Sequence, residues 1–268
     1  MATSRRPGKV CYGVIHLGPL PGTPFYVPGS FDRVVADALG SALALHEGGA
    51  HGCLVQTADR VYSTRDEADP ARIAAVSLIV RAIAERTGGG FRVGVQIMRH
   101  ATRASLAVAK LAGGGFVRAG ALVGATMSNH GLVNAEPADV MAYRRTIDAW
   151  DVELVADVDS THFQWFGGGK PTADVARAAR LVGADAVCLG GPDEERTLAT
   201  LAAVRAAVPG LPLFLAGHTT HENARRLLAG ADGAFVGGCL TDDGWNGPIR
   251  AEKVAAYMEI VRSLDDAG

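Results

Sequence analysis

The regular alternation of short apolar runs with helix patterns is the feature that most constrains this fold. Eight runs of strand length occur along the chain, and each is followed by a polar or glycine-rich loop and then by a helix pattern. The runs lie at residues 10–17, 53–56, 91–98, 116–119, 153–158, 186–189, 213–216 and 234–236. Alternation of this kind predicts parallel strands joined by helical crossovers. Eight such units, at about 30 residues each, predict one (β/α)8 TIM barrel, an α/β fold, with residues 1–268 as a single domain.

The helix patterns have recognisable first residues. The predicted helices cover residues 31–47, 70–86, 102–112, 137–149, 172–181, 193–208, 222–228 and 250–264. Ser30 is the expected N-cap of the first helix, Asp69 and Pro70 open the second, and Thr219 and Glu222 stand at capping-box spacing. The alternative fold is an open doubly wound sheet. The first run lacks the GxGxxG turn of dinucleotide-binding sheets of that kind, which favours the barrel.

Composition excludes several classes of partner. Hydrophobic residues make up 48% of the 268 residues and charged residues 20%, so a large core is available. The formal net charge is −2 with no basic run, which argues against nucleic acid as a partner. The four cysteines form no CxxC pair and are expected to be buried free thiols. Without a signal peptide or a membrane-length apolar run, we expect a soluble cytoplasmic protein, with residues 1–8 as a flexible N-terminus.

Histidines and isolated charges gather where the predicted strands end, which is the side on which barrel enzymes carry their chemistry. We predict substrate contacts from His16, Gln56, Arg99, Arg118, Asn129 and His130. His16 could instead pin the loop that follows it. Arg99 and Arg118 could clamp an anion or sugar hydroxyls, or could form ion pairs with carboxylates such as Asp157.

The sequence DVDSTH at the end of the fifth run is the densest ionisable cluster. Asp157, Asp159 and His162 are the predicted catalytic residues, since a carboxylate and an imidazole this close can transfer protons. They could also hold a metal ion, or form a structural network.

Glycine turns follow the last three runs. A strand that opens onto a glycine turn and a helix N-terminus offers free backbone N–H groups to an anion. In barrels of this class the substrate phosphate usually lies after the seventh and eighth strands. The predicted phosphate-binding residues are Gly190, Gly191, Gly217, His218, Gly237 and Gly238.

Several familiar enzyme motifs are absent. FGGGKPT lacks the leading glycine of a phosphate loop and has proline after Lys170, so we interpret it as a flexible lid. There is no lysine at the end of the sixth run for Schiff-base chemistry, no HxH on the first run for a binuclear metal site, and no nucleophile elbow.

Three segments carry a resemblance to a known family. They are VIHLGPLPGTP near the start, VGVQIMRHATRASLAVAKLAGGGFVRAGALVGATMSNHGLV, and HENARRLLAGADGAFVGGCL. All three are similar to segments of the BtpA/SgcQ family of barrel proteins, and the resemblance covers nearly the whole chain. It implies a TIM barrel in which the matching positions His16, Arg99, Arg118, Asp157, His162, Asn223 and the Gly237 turn keep their family roles.

The chain departs from that family at several strand ends. Gln56-Thr57 stands for Glu-Asn, His100-Ala101 for Asn-Asp, Asn129-His130 for Asp-Gln, Thr161 for Lys, and Gly217-His218 for Ser-Gly. Neutral or imidazole groups thus replace several charged ones, as in a divergent member. The family is named for a role in photosystem I accumulation in cyanobacteria, and other members resemble enzymes of sugar or nucleoside metabolism.

Three functional hypotheses follow. The first is an enzyme that acts on a phosphorylated sugar or a nucleoside- or nucleotide-like substrate, as an isomerase, an epimerase or in glycosidic-bond chemistry. The second is a non-catalytic BtpA-like assembly or stability factor. The third is a metal-dependent lyase or hydrolase. For the first we expect no cofactor and no bound metal, a small phosphorylated molecule as partner, and possible homo-oligomers.

Overall fold

A closed barrel of eight parallel strands confirms the predicted fold. The computed structural model describes residues 8–265, so the predicted flexible N-terminus, apart from Gly8, lies outside the described residues. The barrel strands are β1 (Val10–Leu17), β2 (Gly52–Thr57), β3 (Arg92–Gln96), β4 (Phe116–Ala119), β7 (Glu153–Asp159), β8 (Ala186–Leu189), β9 (Leu213–Leu215) and β10 (Gly233–Val236). Their order around the barrel is β1-β10-β9-β8-β7-β4-β3-β2.

The helices surround this barrel. They are α1 (Phe31–Glu47), α2 (Pro70–Thr87), α3 (Thr102–Ala112), α4 (Pro137–Thr146), α5 (Thr172–Leu181), α6 (Glu194–Ala207), α7 (Ala224–Leu228) and α8 (Ala251–Asp265). Asp69 caps α2 as predicted, since its carboxylate accepts the N–H of Ala71 at 2.8 Å. Ser30 occupies the N-cap position of α1 without a side-chain hydrogen bond. Within residues 8–265, no helix combines the length and the apolar character needed to cross a bilayer.

The predicted capping box before α7 is wrong. Thr219 turns its hydroxyl inward to the Tyr257 hydroxyl at 2.6 Å, so it cannot cap. Asn223 instead accepts the N–H of Thr220 at 2.7 Å and occupies the N-cap position. The helix therefore starts at Ala224 and has five residues, too few and too distant for its dipole to act on the turn after β9.

A β-hairpin occupies the segment that the sequence predicts to be a loop. Strands β5 (Ala125–Ser128) and β6 (Gly131–Asn134) pair antiparallel, and Gly131 adopts a φ of +119° at the turn. The hairpin tip docks on the loop after β2, where the His130 imidazole lies 3.1 Å from the Arg60 carbonyl and packs edge-on against Tyr62. Four-residue strands give too little alternation to be recognised in a sequence.

The interior of the barrel is filled by an aromatic layer. Tyr12, Phe116, Phe214 and Phe235 meet with ring centroids 4.6–6.0 Å apart. All four are inward-facing members of a core cluster inside the barrel. Gly94 makes room for Phe116, because a Cβ at Gly94 would lie 2.1 Å from two atoms of that ring. The aromatic layer closes the barrel below its mouth and supports the side chains above it.

We expect Gly94→Ala to destabilise the protein. The added methyl group would overpack the aromatic layer, which typically costs about 1–3 kcal/mol. Gly40→Ala is the matched control, since Gly40 is exposed in α1 with no atom within 4 Å of the new Cβ, and there alanine should stabilise by about 0.5–1 kcal/mol. Urea unfolding measures both. Equal changes in the free energy of unfolding of the two variants would contradict the close contact between Gly94 and Phe116.

Candidate active site at the barrel mouth

An inner polar layer lies directly above the aromatic layer, at the carboxyl ends of the strands. It consists of His16, Gln56, Gln96, Arg118 and Asp157. His16 pairs with Gln56 and Gln56 with Gln96 in the strand register. Because side chains alternate along a strand, these residues share the inward face with Tyr12 and Phe116. Five polar side chains from five neighbouring strands therefore meet inside one barrel.

Arg118 and Asp157 form a buried bidentate ion pair in this layer. The Arg118 Nε and Nη2 atoms donate to the two carboxylate oxygens at 3.1 and 2.8 Å. Cys188 donates its thiol proton to the same carboxylate at 3.1 Å, and the guanidinium lies 5.0 Å from the centre of the Phe235 ring. Burial alone would raise the pKa of Asp157, but the charge and hydrogen bonds of Arg118 outweigh it and hold that pKa below its usual value.

Arg99 and His162 form a second pair at the same mouth. The Arg99 guanidinium donates to His162 Nδ1 and to the His162 carbonyl, both at 2.9 Å. Burial and then the Arg118 charge lower the pKa of His162 to about 3. The ring is therefore neutral. Because a guanidinium can only donate, Nδ1 accepts and the ring proton is on Nε2.

His16 has the opposite tautomer. Its Nδ1 lies 2.9 Å from the Trp245 carbonyl oxygen, which can only accept, so Nδ1 carries the proton and Nε2 carries a lone pair. Burial lowers the pKa of His16; the Trp245 contact raises it and the Arg118 charge lowers it further. The two rings are close enough for their charges to interact. One mouth thus holds a neutral histidine that can accept a proton and another that can donate a hydrogen bond.

Gln96 is a site residue that the sequence argument missed. It is 2% exposed, and neither its amide oxygen nor its amide nitrogen has a hydrogen-bond partner among residues 8–265. A buried amide with both ends unpaired is costly, so such groups often face a ligand. The signal in the sequence was a single amide side chain in an otherwise apolar run, at a position that faces the barrel interior.

The remaining predicted catalytic and substrate residues lie away from the inner polar layer. Asp159 points to the far side of β7, where its carboxylate accepts from Arg196 at 2.8 Å and from Thr172 at 3.2 Å. Asn129 is exposed at the hairpin tip beside His130, whose ring is held by Arg60 and Tyr62. The structure therefore brings together His16, Gln56, Arg99, Arg118, Asp157 and His162, and separates Asp159, Asn129 and His130 from them.

Five of the six predicted phosphate-binding residues divide into two kinds, and the sixth, Gly238, is the first residue of a short 3-10 helix, Gly238–Leu240. The Gly190 and Gly191 amides already donate to the Asp159 carbonyl and to Thr197 Oγ1, at 2.8 and 3.2 Å. The amides of Gly217, His218 and Gly237 donate to no acceptor in the described part of the chain. Gly217 and His218 adopt φ values of +113° and +59°.

Gly237 lies beside the inner polar layer. A Cβ placed on it would lie 3.7 Å from His16 Cε1. Next to the turn after β9, a cleft of about 480 Å³ runs from Asp159 and Arg196 to His218. Within residues 8–265 no group of three or more His, Cys, Asp or Glu side chains is placed to hold a metal ion.

Comparison with known proteins gives the family. The model of the BtpA family matches residues 8–263. The chain belongs to the BtpA family. The photosystem I biogenesis protein BtpA of Synechocystis sp. is 28% identical over 250 residues, which is 92% of this chain and 86% of that protein. An uncharacterized protein of Archaeoglobus fulgidus is 28% identical over 257 residues, covering 95% of this chain and 99% of its own.

Solved structures share the barrel of this BtpA-family chain. Thiamine phosphate pyrophosphorylase of Pyrococcus furiosus superposes with a TM-score of 0.55 at 15% identity, covering 95% of this chain and 96% of its own. Phosphoribosyl anthranilate isomerase of Thermus thermophilus gives 0.54 at 16% identity, covering 94% and 99%. Orotidine 5'-phosphate decarboxylase of Pyrococcus horikoshii gives 0.51 at 15% identity, covering 92% and 99%. At these identities the likeness establishes the fold alone.

We expect Arg118→Leu to lower the free energy of unfolding by about 3–5 kcal/mol at pH 7, because it leaves the Asp157 carboxylate buried without its partner. The loss should shrink as the pH falls, since an unpaired buried carboxyl group has a raised pKa and becomes neutral by protonation. Urea unfolding at pH 7 and pH 5 measures this. The matched control, Arg196→Leu, breaks a pair with Asp159 in which the arginine is largely exposed, and it should cost much less than Arg118→Leu, under about 1 kcal/mol. Similar losses of unfolding free energy in both variants would contradict the burial of the Arg118–Asp157 pair.

His162 should make the protein less stable in acid. This histidine takes up its proton near pH 6.5 in the unfolded chain and near pH 3 in the folded chain. Its titration therefore leaves the free energy of unfolding unchanged above pH 6.5 and lowers it as the pH falls from 6.5 towards 3. The expected slope is at most about 1.4 kcal/mol per pH unit. Asparagine at position 162 should make this slope shallower. The control His46→Asn, at an exposed site on α1, should leave it unchanged. An unchanged slope in His162→Asn would mean that this ring is not held neutral.

Proposed function

We propose that this chain is a TIM-barrel enzyme that transfers protons on a phosphorylated sugar or a nucleoside- or nucleotide-like substrate. The observation that carries the proposal is the position of Gly237. Its amide has no acceptor in the described part of the chain and lies beside His16, so an anion-binding turn and a proton acceptor adjoin each other.

The phosphoryl group would bind at the turns after β9 and β10. Backbone N–H groups can hold a phosphate dianion without a basic side chain. Gly217, His218, Gly237 and Gly238 are the proposed donors. Gly190 and Gly191 would shape the neighbouring wall, because their amides are already bonded.

Proton transfer would be divided between the two neutral histidines. His16 Nε2 has a free lone pair and is the proposed base, which would take a proton from a carbon or hydroxyl group of the substrate. His162 Nε2–H is the proposed hydrogen-bond donor to the oxygen on which charge develops, with the Arg99 cation behind it. Neutral imidazole is known to act as such an electrophile in triosephosphate isomerase, a different protein. A base and a neutral hydrogen-bond donor in one site suit the proton transfers of isomerases and epimerases.

Asp157 would act through Arg118 rather than on the substrate. Both carboxylate oxygens are occupied by the guanidinium, and one also accepts from Cys188. Asp157 fixes the position of the Arg118 guanidinium near His16 and His162, where burial first and then the Arg118 charge lower the pKa of each ring and favour its neutral form. Asp157 is therefore proposed as a positioning residue, and the acid/base role predicted for it passes to His16.

The solved structures with a similar fold support the substrate class. Thiamine phosphate pyrophosphorylase, orotidine 5'-phosphate decarboxylase and phosphoribosyl anthranilate isomerase are all named for phosphorylated compounds. Barrels of this class commonly bind the phosphate after their last two strands.

A biogenesis factor without catalytic activity is the second candidate, and the name of the Synechocystis relative favours it. Such a protein would need no ligand in its barrel. Failure of the wild-type protein to bind any phosphorylated ligand would support this candidate over the enzyme.

Ribose 5-phosphate is the first probe for the enzyme. Calorimetry should detect binding, and a soaked crystal should show the phosphoryl group at the turns after β9 and β10. Gly238→Val should weaken binding by about ten-fold or more, because its side chain enters space that meets only the Trp245 amide nitrogen, at 3.8 Å. Gly89→Val, at an exposed glycine before β3, is the matched control. Phosphate bound elsewhere, or equal affinities in both variants, would contradict the proposed turns.

A further inference from the structure

Arg99 brings an excess positive charge to the barrel mouth. Arg118 is neutralised by Asp157, and His16 and His162 are held neutral. The two hydrogen bonds of Arg99 go to neutral acceptors on His162, and no carboxylate within residues 8–265 lies at ion-pair distance from it. A half-buried guanidinium without a counter-ion is unfavourable, and a ligand anion would relieve it.

We infer that the substrate carries a second anionic group, bound at Arg99 and Gln96 on the side of the mouth formed by β3, β4 and β7. This inference rests on the proposed function, since it assumes that the phosphoryl group occupies the turns after β9 and β10. The ligand class is a molecule with a phosphate at one end and a carboxylate or second phosphate at the other.

Gln96 points to the same subsite independently. Its buried amide has no partner among the described residues at either end. Gly120 lies between Gln96 and the Arg99 backbone, because a Cβ at Gly120 would lie 3.9 Å from Gln96 Nε2 and 3.2 Å from the Arg99 carbonyl oxygen. The Arg99 side chain extends towards the inner polar layer that contains Gln96, since its charge interacts with those of Asp157 and Arg118. We therefore assign both side chains to one subsite. An anion there would satisfy the donor and offset the charge.

The two anion sites lie on opposite sides of the barrel. Strands β1 and β2 separate β10 from β3, and β8 and β7 separate β9 from β4. An eight-stranded barrel measures on the order of 15 Å between opposite Cα atoms, so the backbone turns after β9 and β10 are well separated from β3 and β4. A substrate with two anionic ends can bridge the two sites, with its central atoms near His16 and His162.

Simple diol phosphates test the inference. The monophosphates and bisphosphates of propane-1,3-diol, butane-1,4-diol and pentane-1,5-diol, with 4-phosphooxybutanoate, are titrated at constant ionic strength by calorimetry. The length series locates the best span, and the butanoate distinguishes a carboxylate from a phosphate at the Arg99 end. Constant ionic strength keeps the screening equal for all the ligands, so that a matched arginine variant can reveal any general advantage of a more highly charged ligand.

We expect at least one bis-anion to bind about ten-fold or more tightly than its monophosphate, and Arg99→Gln to remove that preference, because the bis-anion loses more affinity than the monophosphate does. Arg60→Gln is the matched control, because Arg60 is an exposed arginine near the mouth that stacks on Phe25. The Arg60→Gln variant should still bind the bis-anion more tightly than the monophosphate. Thermal unfolding confirms that each variant is folded.

Three results would overturn the inference. If the monophosphates bind as tightly as the bis-anions, or if Arg99→Gln and Arg60→Gln change the preference equally, there is no second anion site and the proposed function stands. If the wild-type protein binds none of these ligands, the phosphate site fails and the inference fails with it.

Discussion

The buried ion pair between Arg118 and Asp157 is the interaction on which the rest of the mouth depends. Removing two charges from water is expensive, and the cost is offset here by two parallel hydrogen bonds and a third from Cys188. The pair sits on the Phe235 ring, so the aromatic layer fixes its height in the barrel. Burial lowers the pKa of both His16 and His162, and the fixed Arg118 cation lowers it further.

Neutral histidines give the mouth its chemical character. Each ring has one nitrogen bound to a partner that can only donate or only accept, so the protein determines which nitrogen faces the ligand. The result is an acceptor on β1 and a donor after β7, both close enough to Arg118 to interact with its charge. Because neither ring is charged, the net positive charge of the mouth comes from Arg99, which suits an anionic substrate.

The barrel could be predicted from the sequence because the signals for its strands and helices are local. Apolar runs, glycine turns and Pro70 at a helix start fix the elements whatever the tertiary partners are. The hairpin at residues 125–134 was missed and the cap and first residue of α7 were predicted wrongly, because tertiary contacts decide them. Thr219 has the right spacing for a cap but bonds Tyr257, 38 residues away, and no local rule predicts that contact.

The candidate site was predicted in part. The rule that chemistry lies at the carboxyl ends of strands found His16, Arg99, Arg118, Asp157 and His162, which the structure places at one mouth. It could not tell the inward face of β7 from the outward one, so Asp159 was grouped with Asp157, although the bulge at their junction turns it to Arg196. Nor could it tell a free amide from a bonded one at the glycine turns.

The tautomers of the two histidines test the central claim most directly. Two-dimensional ¹H–¹⁵N spectra of ¹⁵N-histidine-labelled protein at pH 7, assigned with His16→Gln and His162→Gln, distinguish the protonated from the unprotonated ring nitrogens. The account predicts a proton on Nδ1 alone for His16 and on Nε2 alone for His162. A doubly protonated ring at either position, or the same tautomer at both, would contradict it.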